Sequence, residues 1–89
     1  WDTVGLVFSS QLRLKILLVL RESKNTPKQL SASLKKPMSH VSKALKQLSE
    51  RQLVECLTPK RRKGRLYDIT KRGNQVLDEI GKIGRKPSD

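Results

Sequence analysis

SHVSKALKQLSERQLV (residues 39–54), running on into PKRRKG (59–64), is the stretch whose reading decides the fold. Val41, Leu45 and Leu48 recur at helical spacing and mark one apolar stripe, with Ala44 allowing close approach. Ser39, His40, Ser42, Lys43, Lys46 and Gln47 lie mainly off that stripe. The pattern predicts a helix from about residue 38 or 39 to about 51, with one side buried and the other polar and basic. Residues 53–58 and 65–69 then read as two short strands of a hairpin around the 59–64 loop. Tyr67 and Ile69 share one face of the second strand and leave Leu66 and Asp68 on the other.

Working outward, Thr26 before Pro27 is a helix start, because proline at the first helical position gives up an N–H that has no partner there. A short helix from 28 to 34 or 35 follows, with Leu30 and Leu34 facing inward at i,i+4. Lys36 and Pro37 end it, since the residue before a proline avoids the helical region. Residues 22–25 read as a turn. Before them Ser9 or Ser10 caps a helix over about 10–22. Leu12, Ile16, Val19 and Leu20 line one side of it, and Leu14, Leu17 and Leu18 broaden the stripe. That breadth predicts burial on more than one face, either inside a single domain or partly against a second subunit. At the other end Thr70 caps a helix over 71–84 marked by Val76, Leu77, Ile80 and Ile83. Gly81 and Gly84 weaken its last turn. The expected fold is mainly α with a small β-hairpin, in one domain over 1–89. Its core spans about 9–83, with an arm at 1–8 and a fraying tail at 85–89.

Composition sets bounds on this chain of 89 residues. It is long enough for one modest core, and Trp1, Phe8 and Tyr67 are its only aromatics, so that core is built of Leu, Ile and Val. The single Cys56 excludes an internal disulfide framework and a multi-cysteine metal site, and fits a reducing, intracellular setting. The run from Ile16 to Leu20 is far too short for a bilayer, and the first residues lack the pattern of a signal peptide. A chain opening at Trp1 reads as a fragment or a trimmed product.

Lys and Arg number 20 against 8 Asp and Glu, for a net charge of +12, and the placement of that charge says more than its size. Two helices joined by a few residues, the second exposing small polar and basic groups, form a helix-turn-helix pattern. The second helix is expected in the major groove of double-stranded DNA, with Ser39, His40, Ser42, Lys43 and Lys46 reading bases. A cap at Ser39 and an ordinary exposed histidine at His40 are the bland alternatives. Thr26, Lys28, Lys35, Lys36 and Gln47 are expected on the backbone, fixing position without reading sequence. Lys60, Arg61, Arg62, Lys63 and Arg65 crowd five cations into six residues of the hairpin. That density repels itself in isolation and gains from phosphate contact or from a narrow minor groove.

SSQLRLKILLVL, TPKQLSASL, MSHVSKALKQLSERQLVE and RLYDITKRGNQVLDEI together resemble the successive elements of winged helix-turn-helix transcription regulators of the ArsR and MarR type, over roughly residues 9–83. The resemblance implies that HVSKALKQL is the recognition helix, that KRRKGR is the wing tip, and that ITKRG opens the following helix. It also implies a homodimer on a pseudo-palindromic operator. Separately, the apolar residues that need covering, Ile80 and Ile83 among them, make residues 1–8 and the first and last helices the expected dimer contacts. Gln52 stands where these families often have Gly before the first wing strand, which predicts an altered helix exit. No metal-ligand cluster and no long flanking helices accompany the pattern, so no cofactor, metal or small-molecule effector is expected.

Catalysis is not expected, because there is no phosphate-binding glycine loop and the lone His and Cys lie on separate elements. Sequence-specific DNA binding inside the cytoplasm, on the nucleoid, is the leading expectation. A non-specific architectural or replication-associated DNA binder is the alternative, and a winged-helix module for protein or RNA contact is a third.

Overall fold

A computed structural model describes residues 5–7, 9–60 and 64–84, apart from the side chains of residues 82–84. The wing-tip residues Arg61, Arg62 and Lys63, most of the expected arm, the tail and the Ile83 side chain lie outside the described residues. After a helical turn at 5–7, the elements run α1 (Gln11–Glu22), α2 (Pro27–Leu34), α3 (Met38–Glu50), β1 (Val54–Cys56), β2 (Tyr67–Ile69) and α4 (Lys71–Gly84).

Local chemistry fixes most of the boundaries. Ser10 caps α1, its side chain accepting the Arg13 N–H at 3.4 Å. Thr26 and Gln29 form a reciprocal capping box at the start of α2: Thr26 Oγ1 accepts the Gln29 N–H, and Gln29 Oε1 accepts the Thr26 N–H. Thr70 Oγ1 accepts the Gly73 N–H at 3.0 Å and donates to the Gln52 carbonyl at 2.7 Å, so one hydroxyl caps α4 and ties it to the end of α3.

The exits of α2 and α3 are both left-handed turns made without glycine. Lys35 has φ 55° and Gln52 φ 61°. Leu53 N–H donates to the Leu48 carbonyl and Gln52 N–H to the Ser49 carbonyl, the bond pair of a Schellman motif. The expected alteration at Gln52 is therefore absent in geometry: glutamine takes the backbone shape that glycine adopts freely.

Helix α1 is the hub, packing against α2, α3, α4 and β2. Ile16, Leu17 and Leu20 from α1 meet Leu30, Val41, Ala44, Leu45, Leu48, Leu53, Val54, Val76, Leu77 and Ile80 in one core. Each fully buried Leu or Ile contributes about 1.5–3 kcal/mol relative to its exposed state. The stripe on α1 is narrower than its composition implies, because Leu18 is 45% exposed. Gly73 is buried where α4 meets the sheet. A Cβ there would run into the Leu53 carbonyl oxygen and sit 2.6 Å from Ile69 Cγ1, so the helix approaches this closely only with glycine.

The strands pair antiparallel with Val54 opposite Ile69, Glu55 opposite Asp68 and Cys56 opposite Tyr67. They are shorter than the predicted 53–58 and 65–69. Pairing continues one step as Leu57 N–H donates to the Leu66 carbonyl at 2.7 Å. The Leu66 N–H then turns to Thr58 Oγ1 at 3.0 Å, so a side chain takes over from the backbone and the ladder stops. Asn25, expected only in a turn, exchanges two backbone hydrogen bonds with Tyr67 and adds a one-residue third strand.

Candidate nucleic-acid interface

The periodicity of α3 separates a buried face from an exposed one. Val41, Ala44, Leu45 and Leu48 are buried, while Ser39, His40, Ser42, Lys43 and Lys46 are all exposed. The helix begins at Met38 with Pro37 as its cap residue and no side-chain cap bond, so Ser39 lies inside the first turn and is not the cap. Its hydroxyl is thereby relieved of the bland role the sequence allows.

Gln47 is half-buried, and its Oε1 accepts from Arg13 Nε at 2.9 Å and Nη2 at 2.6 Å. Arg13 Nη1 also donates to the Leu6 carbonyl at 2.9 Å. One guanidinium therefore fixes the turn at 5–7, α1 and α3 relative to each other. The fork of donors suits this task because it is planar and rigid. Sequence reading missed Arg13, since nothing local distinguishes it from the other basic residues.

Two depressions flank the exposed face of α3. A small recess of about 240 Å³ is lined by Arg13, His40, Lys43 and Gln47 together with Ser10 and Leu12. The other is an open groove of about 940 Å³ between α3, the start of α2 and the base of the hairpin. It is lined by Lys28, Ser42, Lys46, Glu50 and Arg65 together with the apolar Met38, Leu45 and Tyr67. Candidate residues from three separate elements thus share one groove.

Thr26 also lines that groove, where its oxygen already serves the capping box. Lys35 and Lys36 are exposed in the turn between α2 and α3 and line neither depression. The Lys36 carbonyl accepts the Ser31 hydroxyl at 2.5 Å, which holds this turn against the end of α2. Lys60 and Arg65 are exposed at the two ends of the hairpin loop. Met38, Ser49, Glu50 and Tyr67 line the groove without having been among the expected DNA contacts; an apolar side chain in the first turn of the polar-faced helix was the available signal for Met38.

Among the described residues no three His, Cys, Asp or Glu side chains come together, and Cys56 is a half-buried free thiol in β1. No described helix is long and apolar enough to cross a membrane. Arg21 and Asp78 pair at 3.0 Å between α1 and α4, both well exposed, a contact worth at most about 1 kcal/mol.

Comparison with known proteins places this geometry. The family model described as methanogenesis regulatory protein FilR1, N-terminal domain, matches residues 2–82. No curated protein matches the chain. Among solved structures, the transcriptional regulator BldR from Sulfolobus solfataricus superposes with a TM-score of 0.76 at 25% identity, covering 92% of this chain and 60% of that one. Lactococcus lactis ZitR in complex with DNA gives 0.69 at 26% identity, covering 80% of this chain and 49% of that one. The adhesin competence repressor AdcR from Streptococcus pyogenes gives 0.72 at 17% identity over 92% of this chain and 65% of that one, a likeness of fold alone. The chain spans about half the length of ZitR. The fold is a winged helix-turn-helix, related to ArsR/MarR-like transcriptional regulators as the sequence resemblance implies.

Proposed function

The chain belongs to the FilR1 N-terminal domain family, and from that membership we propose that it is the sequence-specific, double-stranded-DNA-binding unit of a transcription regulator. One observation carries this reading. All five base-reading candidates on α3 are exposed while its opposite face is locked into the core. A helix about 10–12 Å across fits a major groove about 12 Å wide, and the first turns of such a helix meet the base edges. Ser39, Lys43 and Lys46 lie nearest the middle of the exposed face, Ser42 and His40 stand at its sides, and Lys donates well to guanine O6 and N7.

Phosphate contacts frame the reading face. Lys28, Lys35 and Lys36 border it from α2 and the following turn, and the hairpin carries Lys60, Arg61, Arg62, Lys63 and Arg65 to an adjacent backbone or minor groove. The Thr26 hydroxyl still has its hydrogen to donate, and the NH₂ group of Gln47 remains for a phosphate oxygen because Arg13 holds the other end of the amide. The presence of DNA in a ZitR structure of the same fold supports DNA as the partner by analogy. The working unit in this reading is an intracellular homodimer on an inverted repeat.

Selection from a random duplex pool at about 150 mM salt, followed by competition with scrambled DNA, tests it. An enriched inverted repeat with half-sites about 34 Å apart is the expected result. Tight binding without an enriched motif would replace it with an architectural role. Absence of duplex binding would remove DNA as the partner.

A further inference from the structure

Three large apolar side chains are exposed among the described residues, Leu18, Met38 and Leu57, and Met38 alone of these stands on α3. It is the first residue of that helix and 45% exposed. It lines the groove beside Ser42 and Lys46, which follow it at four and eight residues, so the three run along one flank of the helix. The same groove is lined by three cations, Lys28, Lys46 and Arg65, and by one carboxylate, Glu50, at the opposite end of α3 from Met38. An apolar spot at the deepest-entering end of a recognition helix, bordered by cations, matches a partner that sets a methyl group between phosphates. Duplex DNA offers that combination at each thymine, whose C5 methyl projects into the major groove.

We propose that Met38 reads a thymine by packing on its C5 methyl group, which makes it a specificity-determining residue in addition to the polar set on α3. This inference rests on the DNA-reading function proposed above. Methionine suits the role because its unbranched, polarizable chain adapts to an irregular apolar surface. The contact discriminates by size and hydrophobicity, whereas Ser39, Ser42 and Lys43 discriminate by hydrogen bonding. A site read this way carries a thymine requirement that no donor or acceptor on the helix explains.

The test uses the duplex enriched by selection with the native chain. Each thymine is replaced in turn by deoxyuridine, which lacks only the methyl group. Loss of one buried methyl contact predicts about four-fold weaker binding at one thymine per half-site. The Met38→Ala chain should bind the thymine and uridine duplexes equally at that position, while Met38→Leu, still apolar, should retain a preference for thymine. The inference is overturned if no thymine shows a penalty, or if the Met38→Ala chain keeps the full penalty everywhere. Those outcomes leave the DNA-reading function standing. Failure to enrich any site overturns that function, and this inference with it.

Discussion

Gln52 shows how a single residue can accept a poor backbone position for the sake of its neighbours. Its φ of 61° belongs to the left-handed region, which costs a residue with a Cβ about 1–2 kcal/mol. The two Schellman bonds and the placement of Leu53 in the core hold it there. Gln52→Gly should therefore stabilise the domain by about 1 kcal/mol, seen as a higher urea midpoint with an unchanged m-value. No gain would mean that the glutamine side chain contributes an offsetting contact. Lys43 is the residue-scale test of function. It is exposed on the outward face of α3, and Lys43→Ala should lose discrimination at one or two base pairs, on the order of 1–3 kcal/mol. An equal loss on every sequence would assign Lys43 to the backbone instead. The exposure of Lys43 was legible from its spacing off the apolar stripe; the left-handed shape at Gln52 was not, because no local preference of glutamine points to it.

Between elements, the decisive contact is the one from Arg13 to Gln47, two residues 34 positions apart. It sets the position of α3 on α1, and through the Leu6 carbonyl it also holds the turn at 5–7. Removing one partner strands a half-buried polar group, so Arg13→Met should lower stability by about 1–3 kcal/mol. A double-mutant cycle with Gln47→Ala should return a coupling of about 1 kcal/mol; additive losses would show that the two side chains act independently. The helices themselves were readable because caps and apolar periodicity are local. The strands were read too long because the side chain of Thr58, reaching back to the Leu66 N–H, closes the ladder early. Asn25 looked like turn because its two strand bonds go to Tyr67, far along the chain.

At the scale of the molecule, the net charge of +12 is what a polyanion partner would meet. Replacing both Arg61 and Arg62 by Ala removes two of the five hairpin cations. Affinity should fall on all duplexes alike, and the slope of log K against log salt should flatten by up to about 1.8 if each cation meets one phosphate. Loss confined to one sequence would move these residues from general grip to base or groove reading. Helix α1, touching α2, α3, α4 and β2, transmits any disturbance of the core to the reading face, so stability and DNA affinity must be measured together in every variant.

By itself the sequence determined the order of elements, the helix starts at Thr26 and Thr70 and, to within Ser9 or Ser10, that of α1, together with the buried stripe of α3 and the cationic character of residues 60–65. Each of these follows from interactions within a few residues, where capping, periodicity and charge density operate. Only the tertiary structure decided which faces meet. It closed Gly73 onto Leu53 and Ile69, left Leu18 and Met38 exposed, joined Arg13 to Gln47, and opened a groove between α3 and the hairpin. Those outcomes depend on the close approach of groups distant in sequence, which packing selects and local propensity does not specify.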